Sequence, residues 1–218
     1  MFWQDETDTI PYKISDDVVD LAFNICCTTV PADNAYALSL AVTEILPWFG
    51  TEPDSGLHIM YGGASINGWQ RPEEDGTLLL SKRSRLRLRL PKHRIEDAEQ
   101  LCGKVLDLAG HSVEVGKSKS MLLVNTDTLL SRHIVSAVEE DEEIFTERMF
   151  QELQKMGLGL TKILSGRDHA LAGPDGPINT KSLLVSGMTA QDAVALQIKG
   201  LGPGRSMGFG LFIASKSI

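Results

Sequence analysis

Apolar positions follow two different periods along the chain, and each period predicts one kind of element. Residues Val18 to Cys27 form a mostly apolar run, which predicts a buried strand. Arg85 to Leu90 alternates arginine with leucine, so a strand there puts every leucine on one face. Helical spacing of apolar residues begins after Pro31-Ala32-Asp33 and recurs over Glu142 to Met156. The chain therefore mixes strands with helices.

The predicted elements occur in a similar order in the two halves of the chain. Further strands are predicted over Leu57 to Tyr61, Leu78 to Leu80, Leu129 to Val138, Thr161 to Leu164, Lys181 to Val185 and Gly208 to Ala214, a hairpin over Val105 to Val115, and helices through Ile95, Ala98 and Leu101 and from Thr189 to about Lys199. Ala64 to Asp75 reads as a long loop. Each half approximates β-α-β-β-α-β. We therefore predict an α+β fold of two tandem ferredoxin-like (RRM-like) domains, residues 1–117 and 118–218.

Composition places the chain among globular proteins and makes nucleic acid an unexpected partner at first sight. Hydrophobic residues are 42% of the chain and the formal net charge is -8, which does not favour phosphate binding. The charge is uneven, however: Lys82 to Arg94 contains many cations and no acid, whereas Glu139 to Glu143 is entirely acidic. Three cysteines without disulfide-like spacing predict a cytoplasmic location. No apolar run is long enough to predict a membrane span.

A glycine-rich stretch lies between the last predicted helix and the last predicted strand. It contains Gly200, Gly202, Gly204, Gly208 and Gly210, together with Arg205. Successive backbone N–H groups in such a loop can form a concave anion site, and Arg205 adds a fork for phosphate. A flexible connector is the alternative. A dinucleotide fingerprint is excluded because the loop follows a helix where that motif requires a strand.

The two outer glycine pairs carry a resemblance to a known family. Gly200-Leu201-Gly202 and Gly208-Phe209-Gly210 resemble the G-h-G-x5-G-h-G loop of the CRISPR repeat-processing endoribonucleases in the RAMP superfamily. Weaker similarities to the Myxococcus-type subtype of that family occur at Phe2-Trp3-Gln4, Pro31-Ala32-Asp33, Ala35-Tyr36-Ala37-Leu38, Gly68-Trp69-Gln70-Arg71-Pro72, Leu86 to Pro91 and Leu196-Gln197. The resemblance implies two ferredoxin-like domains, sequence- and hairpin-dependent RNA binding, and metal-independent cleavage of the repeat. The expected ligand is CRISPR repeat RNA, hairpin or single-stranded, and no cofactor is expected. We expect the cut RNA to stay bound, and other subunits of a guide-RNA complex are further expected partners.

The arginine–leucine alternation predicts where RNA binds. Strand period two puts Arg85, Arg87 and Arg89 on one face and the leucines on the core side. With Arg83, His93 and Arg94 these arginines form a positive stripe that can follow an RNA backbone. The alternative is a solvated sheet face whose arginines pair with acids on a neighbouring strand. Trp69, in the predicted loop, is a candidate for base stacking.

Metal-free RNA cleavage needs a base that takes the proton of the ribose 2′-OH, an acid that protonates the leaving 5′-oxygen and a cation that stabilises the phosphorane. In the resembling family, the start of the first helix commonly carries histidine where this chain has Asn34. Tyr36 lies close in sequence, and His58 begins the next predicted strand, so we take Asn34, Tyr36 and His58 as catalytic candidates. His169, in a predicted loop, is the reserve candidate for the base. No histidines have metal-ligand spacing, so no metal site is predicted.

Three functions remain open at this point. The first is a slow nuclease that leaves a 2′,3′-cyclic phosphate, slow because asparagine cannot act as a base. The second is a binding-only RNA subunit, which tolerates Asn34. The third is a ferredoxin-like enzyme or regulator of a small metabolite. The glycine-rich loop and the arginine stripe argue against this third class.

Overall fold

The computed structural model of the chain describes residues 12–62 and 76–215. Within these ranges the chain is an α+β fold with three antiparallel sheets. The strands are β1 (Val18–Cys26), β2 (Thr29–Pro31), β3 (Gly56–His58), β4 (Thr77–Leu79), β5 (Arg85–Pro91), β6 (Val105–Leu108), β7 (His111–Leu122), β8 (Thr128–Val135), β9 (Lys162–Gly173), β10 (Gly176–Ser186) and β11 (Ile213–Ala214). The helices are α1 (Ala35–Ile45), α2 (Ile95–Ala98), α3 (Glu142–Lys155) and α4 (Ala190–Lys199), with 3₁₀ turns at Lys92–Arg94, Glu99–Leu101 and Arg205–Met207.

The first sheet has the strand order β3-β5-β1-β7-β6. Its core face carries the leucines of β5, which are fully buried as the alternation predicted. Phe23 of β1 lies beside them, and α1 covers this face with Leu38 and Val42, one helical turn apart. The arginines of β5 therefore point to the opposite face. A separate two-stranded ribbon pairs β2 with β4.

The second sheet has the strand order β11-β8-β10-β9. Helix α3 packs on it with Phe145, Met149 and Leu153, which share one helical face at i, i+4 and i+8. The helix begins where the Asp141 side chain accepts a hydrogen bond from the N–H of Glu143. An acidic first turn suits this terminus because the helix dipole favours negative charge there.

The two sheets meet through α4 and through the loops around α1. Val194 of α4 and Val18 of β1 are buried in one cluster, and Ile198 of α4 packs against this cluster. Helix α4 therefore covers one end of the first sheet's non-core face. The Asp33 carboxylate, just before α1, accepts a hydrogen bond of 2.6 Å from the N–H of Ala172 in β9. No helix in the described residues is long and apolar enough to cross a bilayer.

Two predicted elements need correction. The strand predicted over Gly208 to Ala214 is wrong for most of its length, since only Ile213 and Ala214 pair with β8. Gly208 and Gly210 have φ angles of 89° and 67°, and this left-handed backbone cannot continue a strand. His169 lies within strand β9, where a loop was predicted. The loop predicted over 64–75 lies outside the described residues, and the predicted domain boundary at 117/118 falls inside β7.

Candidate nucleic-acid interface

The non-core face of the first sheet, here called the outer face, collects most of the predicted binding residues. Strand β1 contributes Asp20, Ala22 and Asn24 to it, because these alternate with the buried Leu21 and Phe23. In the sheet register Ala22 pairs with Arg87 on one side and with Lys119 on the other. Paired residues project from the same face of a sheet, so both cations flank Ala22.

One end of the outer face, the open end, is exposed and cationic. Asn24, Arg87, Lys117 and Lys119 are all exposed there. Among the described residues, no ion pair or hydrogen bond joins the side chains of Arg87, Lys117 or Lys119 to a partner. Their charges are therefore not neutralised within the described part of the chain. The open end can bind phosphate without first breaking an internal contact.

The other predicted cations near the open end differ from one another in exposure. The Arg85 Nη1 atom donates to the carbonyl oxygens of Lys82 and Ser84, at 3.0 and 2.7 Å, so the guanidinium folds back onto its own turn. Arg83 is exposed, and His93 is 68% exposed in the 3₁₀ turn after β5. Arg83 and His93 therefore remain accessible, whereas Arg85 is half-buried.

Arg94 is held by the protein itself. Its Nε atom donates to Glu52 at 2.6 Å and its Nη1 atom to Asp97 at 2.8 Å. Its guanidinium also lies 4.8 Å from the ring centroid of Trp48. The hydrogen bonds to Asp97 and Glu52 raise the pKa of Arg94. RNA would have to compete with these contacts, so the structure gives Arg94 a structural role.

The other end of the outer face, the covered end, corrects the prediction for Arg89. This side chain is 1% exposed. Its Nε and Nη2 atoms donate to the two carboxylate oxygens of Asp20 at 2.8 and 3.1 Å. Its Nη1 atom donates to the carbonyl oxygens of Gln197 and Phe212 at 2.7 and 2.9 Å. Arg89 thus fastens the second half of the chain to the first sheet and cannot reach RNA, because α4 and the segment before β11 cover it.

His58 is oriented by the same carboxylate. Its Nε2 atom lies 3.2 Å from Oδ1 of Asp20, and both side chains are 14% exposed. Burial alone would raise the pKa of Asp20, but the charges and hydrogen bonds of His58 and Arg89 outweigh it and hold the pKa well below its usual range. With Nε2–H donating to Asp20, Nδ1 of His58 is left as a proton acceptor. Arg87 pairs with His58 in the sheet, so this imidazole adjoins the open end.

Asn34 is a structural residue, which corrects its assignment to the catalytic site. Its side chain is fully buried. The Nδ2 atom donates to the carbonyl oxygens of Pro31 and Met60 at 3.1 and 2.9 Å, and Oδ1 accepts from the N–H of Met60 at 3.1 Å. Both amide hydrogens are thereby used. Asn34 joins the start of α1 to the chain after β3 and has no donor left for a ribose or phosphate.

Tyr36 lies on a different side of α1 from the buried Asn34. It lines a groove of about 410 Å³ between α1 and β6, together with Leu40 and Val105. His58, by contrast, lies on β3, at the opposite edge of the first sheet from β6. The structure therefore does not bring Tyr36 together with the other catalytic candidates.

Each glycine of the glycine-rich loop has a left-handed backbone conformation. The φ angles of Gly200, Gly202, Gly204, Gly208 and Gly210 are 66°, 78°, 87°, 89° and 67°. A Cβ atom on Gly208 would lie 2.8 Å from the carbonyl oxygen of Leu57, whereas one on Gly202 would meet nothing closer than 3.7 Å. The N–H of Gly210 donates to the carbonyl oxygen of His133 at 2.7 Å. Contacts within the protein thus account for Gly208, and the positive φ alone accounts for Gly202.

Arg205 is turned under this loop. Its Nε atom donates to the carbonyl oxygen of Ser55 at 2.8 Å, and both Nη atoms are buried without a partner in the described part of the chain. Burial, and next the charge of Arg89, lower the pKa of Arg205 to about 10, although Asp54 acts in the opposite direction. The guanidinium group of Arg205, which was predicted to bind phosphate, therefore does not have its Nη atoms at the surface.

A second group of histidines lies where the two sheets meet. The rings of Tyr61 and His133 are nearly parallel, with centroids 6.4 Å apart, and His169 meets His133 edge-on at 5.1 Å. The guanidinium of Arg132 lies 4.5 Å from the Tyr61 ring centroid. Nδ1 of His133, which is 4% exposed, lies 3.1 Å from the Thr180 hydroxyl. His133 therefore belongs to the core, and His169, half-buried, stays the reserve candidate.

Comparison with known proteins decides the family. The Cas6 family model, described as "Cas6 Crispr", matches residues 19–217. The chain belongs to the Cas6 family of CRISPR-associated endoribonucleases. It is also 27% identical over 195 residues to the "CRISPR-associated endonuclease Cas6" of Myxococcus xanthus (strain DK1622), covering 89% of this chain and 80% of that protein. The family predicted from the glycine-rich loop is confirmed.

Solved structures support the Cas6 fold at low sequence identity. A "CRISPR associated protein Cas6" superposes with a TM-score of 0.65 at 12% identity, over 91% of this chain and 100% of that chain. A Cas6-related protein from Pyrococcus furiosus gives a TM-score of 0.59 at 12% identity, over 89% and 97%. A CRISPR endoribonuclease Cse3 bound to a 19-nucleotide RNA gives 0.52 at 13% identity, over 91% and 98%.

Sequence reasoning missed three residues of this Cas6 surface. Asp20 was read only as part of an apolar strand, and no local signal reveals that it lies between His58 and Arg89. Lys117 and Lys119 lie on either side of the predicted domain boundary at 117/118, although their spacing of two is the signal used for the arginines of β5. Trp69, residues 2–4 and residues 68–72 lie outside the described residues. In the described ranges, no three His, Cys, Asp or Glu side chains group as metal ligands.

Proposed function

We propose that this Cas6 family member binds CRISPR repeat RNA on the open end of its outer face and cuts it beside His58. The observation that carries the proposal is the imidazole of His58, held 3.2 Å from Asp20 and paired in the sheet with the exposed Arg87. A base oriented by a carboxylate next to a cation is what 2′-OH cleavage requires. The Myxococcus xanthus relative named an endonuclease supports the activity, and the RNA-bound Cse3 structure supports the ligand.

In the proposed reaction, His58 first removes a proton from the RNA and then returns it. Nδ1 of neutral His58 takes the proton of the ribose 2′-OH, whose oxygen attacks the adjacent phosphorus. The bond from phosphorus to the 5′-oxygen breaks, and the imidazolium returns its proton to that oxygen. Arg87 stabilises the negative charge of the transition state. The products are a 2′,3′-cyclic phosphate and a 5′-hydroxyl. Ribose supplies the nucleophile and His58 the base, so we propose that no metal ion takes part.

The remaining predicted contacts take supporting positions in this proposal. Arg83, Arg85 and His93 flank the open end and add RNA contacts. We also propose that the chain forms two ferredoxin-like units, a division that the strand orders β3-β5-β1-β7 and β9-β10-β8-β11 support. A boundary after β7, between Leu122 and Thr128, would keep each unit whole. We further propose that the cut RNA stays bound to the cationic face.

Cleavage of a transcript of the repeat from the CRISPR array encoded with this chain tests the proposal. The transcript is incubated with protein in excess chelator and resolved on a denaturing gel. We expect cutting that leaves a cyclic phosphate, detected as an end resistant to phosphatase until acid opens it. His58→Ala should lower the rate by about 10²–10⁴-fold while RNA affinity stays within about twofold. His111→Ala, at the start of β7, is the matched control.

The competing function is that of an RNA-binding subunit that does not cut. It is favoured by Asn34, a buried residue that pairs with the Met60 backbone where the resembling family commonly carries histidine, and by the 14% exposure of His58. Wild-type protein that binds the repeat tightly and leaves it intact would establish this function. Equal cutting by wild type and His58→Ala would reject His58 as the base, and His169 would be the next residue to replace.

A further inference from the structure

The open end of the outer face carries a second row of cations parallel to the arginines of β5. Lys117 and Lys119 lie on β7, on the far side of β1 from Arg85 and Arg87. The register shift between Phe23 and Ile25 sets Gly116 and Lys117 against Asn24. Alternation along β7 then puts Lys117 on the same face as Lys119.

The strand between the two rows forms a low, uncharged floor. Ala22 and Asn24 of β1 are its outward residues, and neither adds an acid or a large side chain. The backbones of β5 and β7 are about 10 Å apart, since each strand spacing is about 4.8 Å. Long basic side chains on both sides of a small floor make a groove that runs parallel to β1.

The groove is bounded differently at its two ends. Helix α4 covers the floor at Val18, where Val194 and Ile198 pack on it. At the Cys26 end of β1 the outward face turns acidic, because the exposed Glu114 of β7 pairs with Cys26 and Asp107 lies on the neighbouring β6. A duplex is recognised across successive grooves over many base pairs, whereas the exposed cations here extend over only a few residues of β5 and β7. A single strand can place neighbouring phosphates against the two rows.

We propose that Lys117, Lys119 and Asn24 complete a binding groove for a short single-stranded segment of RNA, with the lysines on phosphates and Asn24 on a base or ribose. This inference rests on the proposed function, because Arg87 and His58 form the other side of the same groove. It assigns the single-stranded part of the substrate, rather than a paired stem, to the outer face. An RNA segment that contacts Arg87 on β5 then lies beside His58, because His58 is the residue of β3 that pairs with Arg87.

The salt dependence of RNA binding tests the groove. Fluorescence anisotropy is measured with two probes, an oligouridylate without secondary structure and a blunt RNA hairpin without overhangs. For Lys117→Gln/Lys119→Gln we expect the slope of log affinity against log salt to fall by about 1.4 on oligouridylate, about 0.7 for each phosphate that a lysine no longer neutralises. Hairpin affinity should stay unchanged. Lys155→Gln/Lys162→Gln removes two exposed lysines elsewhere and is the charge-matched control.

Other results of these measurements would reject either the single-strand groove or the proposed RNA site as a whole. An unchanged slope on oligouridylate, or an equal loss on the hairpin, would overturn the single-strand groove. Arg87→Gln separates this failure from failure of the proposed function. If Arg87→Gln weakens binding and the double lysine variant does not, only the second row is rejected. If neither variant weakens binding, RNA does not use the outer face, and both proposals fall.

Discussion

Two arginines on one strand face, Arg87 and Arg89, differ completely in what surrounds them. Arg87 is exposed and has no partner within the described residues, whereas Arg89 is 1% exposed and donates four hydrogen bonds to Asp20 and two carbonyl groups. The difference arises because α4 covers only one end of the outer face. The same residue type, two positions apart, therefore fastens the two halves together at the covered end and is available to RNA at the open end.

The largest expected effect is a difference in the free energy of unfolding between the variants of these two arginines. Arg89→Ala removes both guanidinium hydrogen bonds from the largely buried Asp20 carboxylate and leaves two carbonyl oxygens without this donor, so the free energy of unfolding should fall by about 3–5 kcal/mol. Arg87→Ala removes an exposed side chain and should change it by no more than about 0.5 kcal/mol. Urea denaturation of both variants measures the contrast. Similar losses in the two variants would show that the two ends do not differ as described.

A smaller loss is expected at Asn34, which we regard as part of the scaffold. Asn34→Ala removes the amide that pairs with both backbone groups of Met60, and leaving these buried groups unpaired should cost about 1–3 kcal/mol of unfolding free energy. Asn34→His should also destabilise the protein and should not raise the cleavage rate. Single-turnover cleavage of the folded fraction is the readout. Faster cutting by Asn34→His would return this position to the catalytic site.

Acid should weaken the covered end through Asp20. His58 and Arg89 hold the pKa of this carboxyl group below its usual value of about 3.9, so its stabilising contribution is present above about pH 4. That contribution is lost as the pH falls through the lowered pKa. Urea denaturation at pH 6 and pH 3 should therefore show a smaller acid-induced loss for Asp20→Asn than for wild type. Glu114→Gln, at an exposed acid, should behave as wild type.

The smallest effect is expected at Arg205, a half-buried arginine whose two Nη atoms are buried. Its Nη atoms have no partner among the described residues, and burial lowers its pKa to about 10. Arg205→Met loses one hydrogen bond to Ser55 and relieves the burial of an unpaired charge. We expect the free energy of unfolding to change by less than about 1 kcal/mol, the scale of one hydrogen bond. A loss as large as that of Arg89→Ala would mean that Arg205 also holds the halves together.

Sequence periodicity predicted which side of the sheet each β5 residue faces but not what covers that side. The leucines are buried as expected, because alternation alone decides their face. The burial of Arg89 depends on α4, which follows it by about a hundred residues, and no local pattern contains that information. The 3.2 Å contact between His58 and Asp20 likewise depends on strand order.

The glycine-rich loop shows the same division between local and long-range information. Its glycine pattern predicted the family, because that pattern is contained in a short stretch of the sequence. The direction in which Arg205 points was not predictable, since the carbonyl oxygen of Ser55, to which it donates, lies far away in sequence. The approach of His133 to Tyr61 also requires the two sheets to be in contact.

Chemical modification of arginine with phenylglyoxal, read by mass spectrometry with and without repeat RNA, tests the contrast between the two ends most directly. Arg87 should react in the free protein and be protected by RNA, while Arg89 should stay unreactive in both states because it is buried. Reaction of Arg87 at the same rate with and without saturating RNA would contradict the account, since RNA would then bind elsewhere on the molecule.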